Sequence, residues 1–112
     1  MQPEDRIRLK HIIEEAKEAC LYVQGLSFED FLHDGKTVRA VIRSIEIIGE
    51  AASKISMELR EDYPDIPWKK IIGMRNRLVH VYFDIDHEVI WRTVQVNLPP
   101  LISKLEQVIN SE

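Results

Sequence analysis

The chain has 112 residues, 45% of them apolar, and a formal net charge of −4. That length suits one domain with one core, residues 1–112, and the apolar share is too high for a disordered chain. The negative balance argues against a broad, sequence-independent nucleic-acid binder, which needs many phosphate contacts, and leaves room for a small local phosphate site. The residues from Met1 to Arg6 lack the basic flank and apolar stretch of a signal peptide, and no apolar run approaches a membrane span. The single cysteine, Cys20, has no partner for an internal disulfide and falls on an apolar helix face. A cytoplasmic protein with a buried thiol and no membrane contact is the expectation.

Leu9, Ile12, Ile13, Ala16, Ala19, Cys20 and Val23 follow the i, i+3, i+4 rhythm and predict a first helix over about 4–23. Pro3 suits its start and Gly25 its stop. Ser27 is placed to cap a short turn reaching Phe31 or Leu32. After the polar link His33–Lys36, a second long helix is expected over 37–56, with Val38, Val41, Ile42, Ile45, Ile48, Ala52 and Ile55 as its apolar stripe. Gly49 in its middle costs roughly 1 kcal/mol relative to alanine, which points to a close helix contact, inside the bundle or between subunits. Glu46 and Glu50, spaced i, i+4, repel unless a cation lies between them, and Arg43 or a residue of the helix expected after Pro67 would serve. A solvated acidic face is the bland alternative.

One or two turns are expected over 57–63, then a rigid Pro64–Pro67 loop, since each proline turns its predecessor away from helical dihedrals. Trp68 should anchor that loop, and Pro67 should start a helix over 68 to 82 or 83. Asp86 is a candidate cap for a last helical region over 87–110. Pro99-Pro100 interrupts it, and Asn97 is a candidate cap for a fresh helix there. The whole reads as an all-α, antiparallel up-and-down bundle of four to five helices.

The segment Arg75-Asn76-Arg77-Leu78-Val79-His80-Val81-Tyr82 carries the chemistry. It sets a permanent cation beside a group that titrates near neutral pH, a pairing suited to moving protons at a phosphate. On a straight helix Arg75 and Tyr82 share one face and Asn76 and His80 another. Arg75 and His80 would lie about 140° apart and roughly 7.5 Å apart along the axis, too far to act side by side. A curled arginine, a helix loosened near His80, or a second subunit would bring them together. Lys69 and Lys70 add charge near the segment but read as ordinary surface, while Lys36, Arg39 and Arg43 lie on the second long helix. Structural readings compete: His80 as a core histidine, Arg75 as a counter-ion for Glu46 or Glu50, Tyr82 as a core aromatic. His80, Asp84, Asp86 and His87 could also offer metal ligands, but their spacing matches no closed zinc pattern. An acidic loop capping a helix is preferred, and neither metal nor cofactor is expected.

The segment Arg75 to Tyr82 also resembles the R-N-x-x-x-H-x-Y form of the motif of HEPN-type ribonucleases. Arg43 to Ala52, with its Ile-Glu-Ile-Ile-Gly-Glu-Ala-Ala run, is similar to a helix of the same family. So are Tyr63-Pro64-Asp65-Ile66-Pro67-Trp68, Ile72-Gly73-Met74-Arg75-Asn76, Phe31-Leu32-His33-Asp34 and Trp91 through Pro99. These ordered blocks are spread over one small chain, and together they make it resemble the HepT-like branch of that class. The resemblance implies a homodimer with two motifs facing one cleft, and metal-independent cleavage of RNA. Arg75 and His80 would be catalytic, and Asn76 would orient His80 or donate to a phosphate oxygen. It also implies a toxin whose Tyr82 receives AMP from a minimal nucleotidyltransferase antitoxin. The alternative is a non-catalytic helical subunit that holds a nucleotide or a nucleotidyltransferase.

Overall fold

A computed structural model describes the chain apart from Leu78, Tyr82 and Phe83; for Arg75, Arg77 and 79–81 it describes the backbone element alone. Helix α1 spans Pro3–Tyr22, α2 Phe28–Leu32, α3 Gly35–Ser53, α4 Met57–Asp62 and α5 Trp68–Ile72. A 3-10 turn over Met74–Arg77 leads to strand β1, Val79–Val81, which pairs antiparallel with β2, Asp84–Ile85. Helix α6, His87–Arg92, continues through a π segment, Thr93–Asn97, into α7, Leu98–Asn110. The fold is an all-α helical bundle with one small hairpin.

Helix α1 is central, packing on α3 along one side and on α7 along another. Leu9, Ile12, Ala16 and Ala19 are fully buried against Val41, Ile45, Ile48, Leu98 and Leu105. Burial of each large aliphatic side chain contributes about 1.5–3 kcal/mol, and these rows of the i, i+3, i+4 pattern assemble the bundle. The expected stripes of α1 and α3 are the ones buried. Cys20 is half-buried rather than sealed in: burial pushes its thiol pKa up, and its Sγ lies 3.9 Å from the Val94 carbonyl.

Local capping chemistry sets the short elements. Gly25 takes φ +80°, a left-handed conformation that ends the run beyond α1. Ser27 caps α2 in a capping box, its hydroxyl accepting from the Asp30 N–H at 3.0 Å while Asp30 accepts from the Ser27 N–H at 3.1 Å. Helix α3 begins two residues earlier than its apolar stripe suggests. Asp34, whose sequence context reads as part of a link, accepts from the Thr37 N–H at 3.1 Å and the Thr37 hydroxyl at 2.7 Å. Those two donors hold the Asp34 carboxyl below its ordinary pKa. A carboxylate with a depressed folded pKa adds stability above its unfolded pKa and loses it as pH falls through the folded value. The melting-temperature gap between the native chain and Asp34→Ala should therefore shrink on acidification through the carboxylate range. A gap independent of pH would show that the charge of Asp34 is not what caps α3.

Helix α3 ends at Ser53 instead of Ser56, because Ser56 is recruited to cap α4. The Ser56 hydroxyl accepts from the Leu59 N–H at 3.2 Å and donates to Asp5 at 2.6 Å, and the Ser56 N–H donates to Asp5 at 3.0 Å. Asp5 is thereby buried with its oxygens satisfied, and it ties the start of α1 to the start of α4.

The last helical region differs from a break at the prolines. Pro99 and Pro100 do fall in the first turn of α7, but Asn97 is itself helical and its side chain caps nothing. The Leu98 N–H instead reaches back five residues to the Thr93 carbonyl. Prolines cannot donate, and their rings crowd the preceding turn. The wider π turn absorbs both effects, so the rod continues where a fresh cap was expected.

Candidate active segment

Two anchored helices frame the motif. On the entry side, Trp68 is buried and its Nε1 donates to the Tyr63 carbonyl at 3.0 Å, closing the Pro64–Pro67 loop as expected. The Trp68 N–H also donates to the Ile66 carbonyl at 2.8 Å. Helix α5 lies tight against α3: a Cβ on Gly49 would stand 3.3 Å from the Ile72 carbonyl oxygen and 3.4 Å from that of Ile71. Of the two readings of Gly49, the contact inside the bundle is present. On the exit side, Asp86 caps α6 as expected, accepting from the Val89 N–H at 3.1 Å. Trp91 then packs on Phe31 and Phe28, with ring centroids 5.2 and 5.9 Å away.

Between these anchors the backbone departs from expectation. A single helix from Trp68 to Tyr82 or Phe83 is not formed. Helix α5 stops at Ile72, the Gly73 N–H folds back to the Lys69 carbonyl at 2.9 Å, and the Asn76 N–H reaches the Gly73 carbonyl at 3.0 Å. Arg75 and Asn76 therefore lie in the 3-10 turn and His80 lies on β1. Val79 stands opposite Ile85 and Val81 opposite Asp84, with an irregularity between them. The physical reason is legible after the fact. Val79, Val81, Phe83 and Ile85 alternate at period two, and β-branched and aromatic residues favour the pleated conformation. That local preference competes with a helical pattern and wins beyond Gly73.

The helical-face pairings of Arg75 with Tyr82 and of Asn76 with His80 are withdrawn with the helix. The helix gives way before His80, earlier than the loosening near His80 that was expected. Met74 is buried and seats the 3-10 turn on α3, while Asn76 is exposed. Tyr82 lies outside the described residues. Lys69 and Lys70 are exposed on α5, one turn before the motif. Glu50 lies 3.9 Å from Lys54, a lysine four positions on that serves as a counter-ion for that carboxylate. Among the described residues, no three His, Cys, Asp or Glu side chains are grouped to hold a metal ion. Among them, too, no helix is long and apolar enough to cross a membrane.

A helical bundle with an Arg-Asn and a His on one short segment between two anchored helices fits the HEPN class of domains. Comparison with known proteins narrows this: the model of the ribonuclease HepT-like family matches residues 10–108, and the chain belongs to that family. A provisionally named RNase of Caldanaerobacter subterraneus subsp. tengcongensis is 40% identical over 93% of both chains. A protein named as a probable ribonuclease HepT, from Thermococcus cleftensis, is 41% identical over 88% of this chain and 94% of its own. A provisionally named RNase of Methanocaldococcus jannaschii is 38% identical over 93% of this chain and 86% of its own. No solved structure matches.

Proposed function

We propose that this member of a ribonuclease family is the toxin of a toxin–antitoxin pair and a metal-independent endoribonuclease. The observation that carries the reading is the family match over residues 10–108, a range that includes the segment Arg75 to Tyr82. RNA supplies its own nucleophile, the 2′-hydroxyl. As its oxygen attacks phosphorus, its proton passes to a base and the departing 5′-oxygen takes one from an acid. An imidazole with a pKa near operating pH suits either transfer, and His80 takes that role. The transition state gathers negative charge on the phosphorus oxygens, and the forked guanidinium of Arg75 stabilises it. Asn76, exposed in the same 3-10 turn as Arg75, donates to a phosphate oxygen or orients the imidazole. Two copies of the chain face their segments toward one cleft, so light scattering at micromolar concentration should give a dimer.

Control falls on Tyr82. Its phenol oxygen attacks the α-phosphorus of ATP held by a nucleotidyltransferase antitoxin, losing its proton as pyrophosphate leaves, and the added phosphate fills the space of the substrate phosphate near Arg75 and His80. Purified protein should cut RNA in EDTA, and co-expression with the antitoxin should add the mass of one or more AMP units at Tyr82 and stop cleavage. Tyr82→Phe should then escape control with its fold intact. If the antitoxin silences Tyr82→Phe equally well, inhibition comes from binding alone. The net charge of −4 gives the second reading, a non-catalytic helical partner subunit, its one support. RNA left intact by the purified, folded dimer would favour it.

A further inference from the structure

Away from the motif segment, cations gather on one face of α3. At about 100° per residue, Lys36, Arg39, Arg43, Ile47, Glu50 and Lys54 fall within an arc of about 80°. That arc is opposite the buried stripe of Val41, Ile45 and Ile48, and its charged members are all exposed. Helix α1 adds Arg8 and His11, which together with Arg43, Ile47, Glu50 and Lys54 line a groove of about 410 Å³ between the two helices. The Arg8 Nη1 donates to the Lys54 carbonyl at 3.0 Å, fixing one edge of the groove. Five of the chain's 15 Lys and Arg residues thus share a face on a molecule of net charge −4. Within the arc Glu50 is the opposing charge, 3.9 Å from Lys54, and Glu46 sits at its border.

The motif side of α3 is set by Gly49. Gly49, which touches Ile72, lies about 120° round the helix from Arg43, and α3 packs on that side against α5 and the 3-10 turn that carries Arg75 and Asn76. The basic arc therefore lies between the motif segment and the α1–α3 groove. Lys36, Arg39 and Arg43 step about 4.5 and 6 Å along the axis, close enough to meet successive phosphates of an extended strand. The arc contains no aromatic side chain on which a base would stack. From this arrangement we infer that the Lys36–Arg39–Arg43 face and the adjoining groove form a track for the single-stranded RNA backbone that flanks the reacting phosphate. The inference rests on the ribonuclease reading. It places the electrostatic contacts of an acidic protein on a short track that reads charge and not base identity.

The test measures binding apart from cleavage. In a His80→Ala background, which keeps RNA whole, the affinity for a labelled single-stranded RNA is followed against salt for the native face, R39E/R43E and R39K/R43K. Charge reversal should weaken binding at least about tenfold and flatten the log–log salt slope by about 0.7 for each phosphate that is no longer neutralised. The lysine pair should keep both. With His80 intact, R39E/R43E should cut long RNA more slowly yet cut a dinucleotide, which spans the reacting phosphate alone, as the native chain does. Unchanged affinity and slope in R39E/R43E would overturn the track, whether or not RNA is cleaved. So would unchanged RNA affinity with abolished binding of the nucleotidyltransferase, which would assign this face to a protein partner. If the native chain cuts neither substrate, the ribonuclease reading falls, while the salt slope still decides the track.

Discussion

Arg75→Ala and His80→Ala should each lower RNA cleavage by about 10²–10⁴, the usual loss on removing a general acid or base or a charge-stabilising donor. Neither should shift the melting temperature by more than a few degrees. Among the described residues, the fully packed side chains stop at Met74 before the segment and resume at Ile90 after it. The bundle is closed by α1, α3, α5 and α7, with Met74 the point at which the 3-10 turn joins that core. Residual cleavage should be indifferent to EDTA and should leave 2′,3′-cyclic phosphate ends, because the attacking oxygen is the neighbouring 2′-hydroxyl. Asn76→Ala should lose less, since an amide that orients a ring or shares a phosphate contact is partly replaced by water. Full activity in His80→Ala would remove the imidazole from the mechanism. Loss of activity together with unfolding would assign His80 and Arg75 to structural roles instead.

Gly49→Val should destabilise the fold by about 3 kcal/mol, the upper end of the range for overpacking. For a chain of this size that corresponds to a drop of roughly 10–20 °C in melting temperature. The obstacle is backbone: the carbonyl oxygens of Ile71 and Ile72, 3.4 and 3.3 Å from where a Cβ would stand. A flexible side chain would swing aside, but these oxygens move only if α5 moves. Gly49→Ala should stay near the native melting temperature. Its strain of a few tenths of an ångström is offset by a gain of about 1 kcal/mol in helix propensity. The valine variant should also lose cleavage below its melting temperature, because Arg75 follows Ile72 by three residues and shifts with it. A valine variant that melts with the native protein would show that α5 is not seated on α3 at Gly49.

Much of this protein is determined by its sequence alone. The apolar rows of α1 and α3 repeat at 3.6 residues over five turns, long enough for burial to outweigh any competing local preference, so their buried faces are those the pattern marks. Ser27 and Asp86 cap the helices they precede because a short polar side chain three residues before an N–H satisfies it without tertiary help. The match to the ribonuclease HepT-like family was legible for a similar reason, since its blocks are ordered along the chain and require no fold to be recognised.

Tertiary structure decided what local rules leave balanced. Gly49 signals a close contact, but only the packed bundle identifies the Ile71 and Ile72 carbonyls as its partner. Asp5 and Ser56 stand 51 residues apart, and their buried pairing is invisible until α1 and α4 meet. Pro99-Pro100 reads as a helix break, yet packing of α7 on α1 holds the rod together and a π turn accommodates the missing donors. Around His80, a helical spacing and a period-two alternation occupy the same residues with similar weight. Seated at Trp68 and Met74 on one side and at Trp91 on the other, the segment runs between fixed ends, and the extended backbone of β1 prevails over the helix that spacing alone suggested.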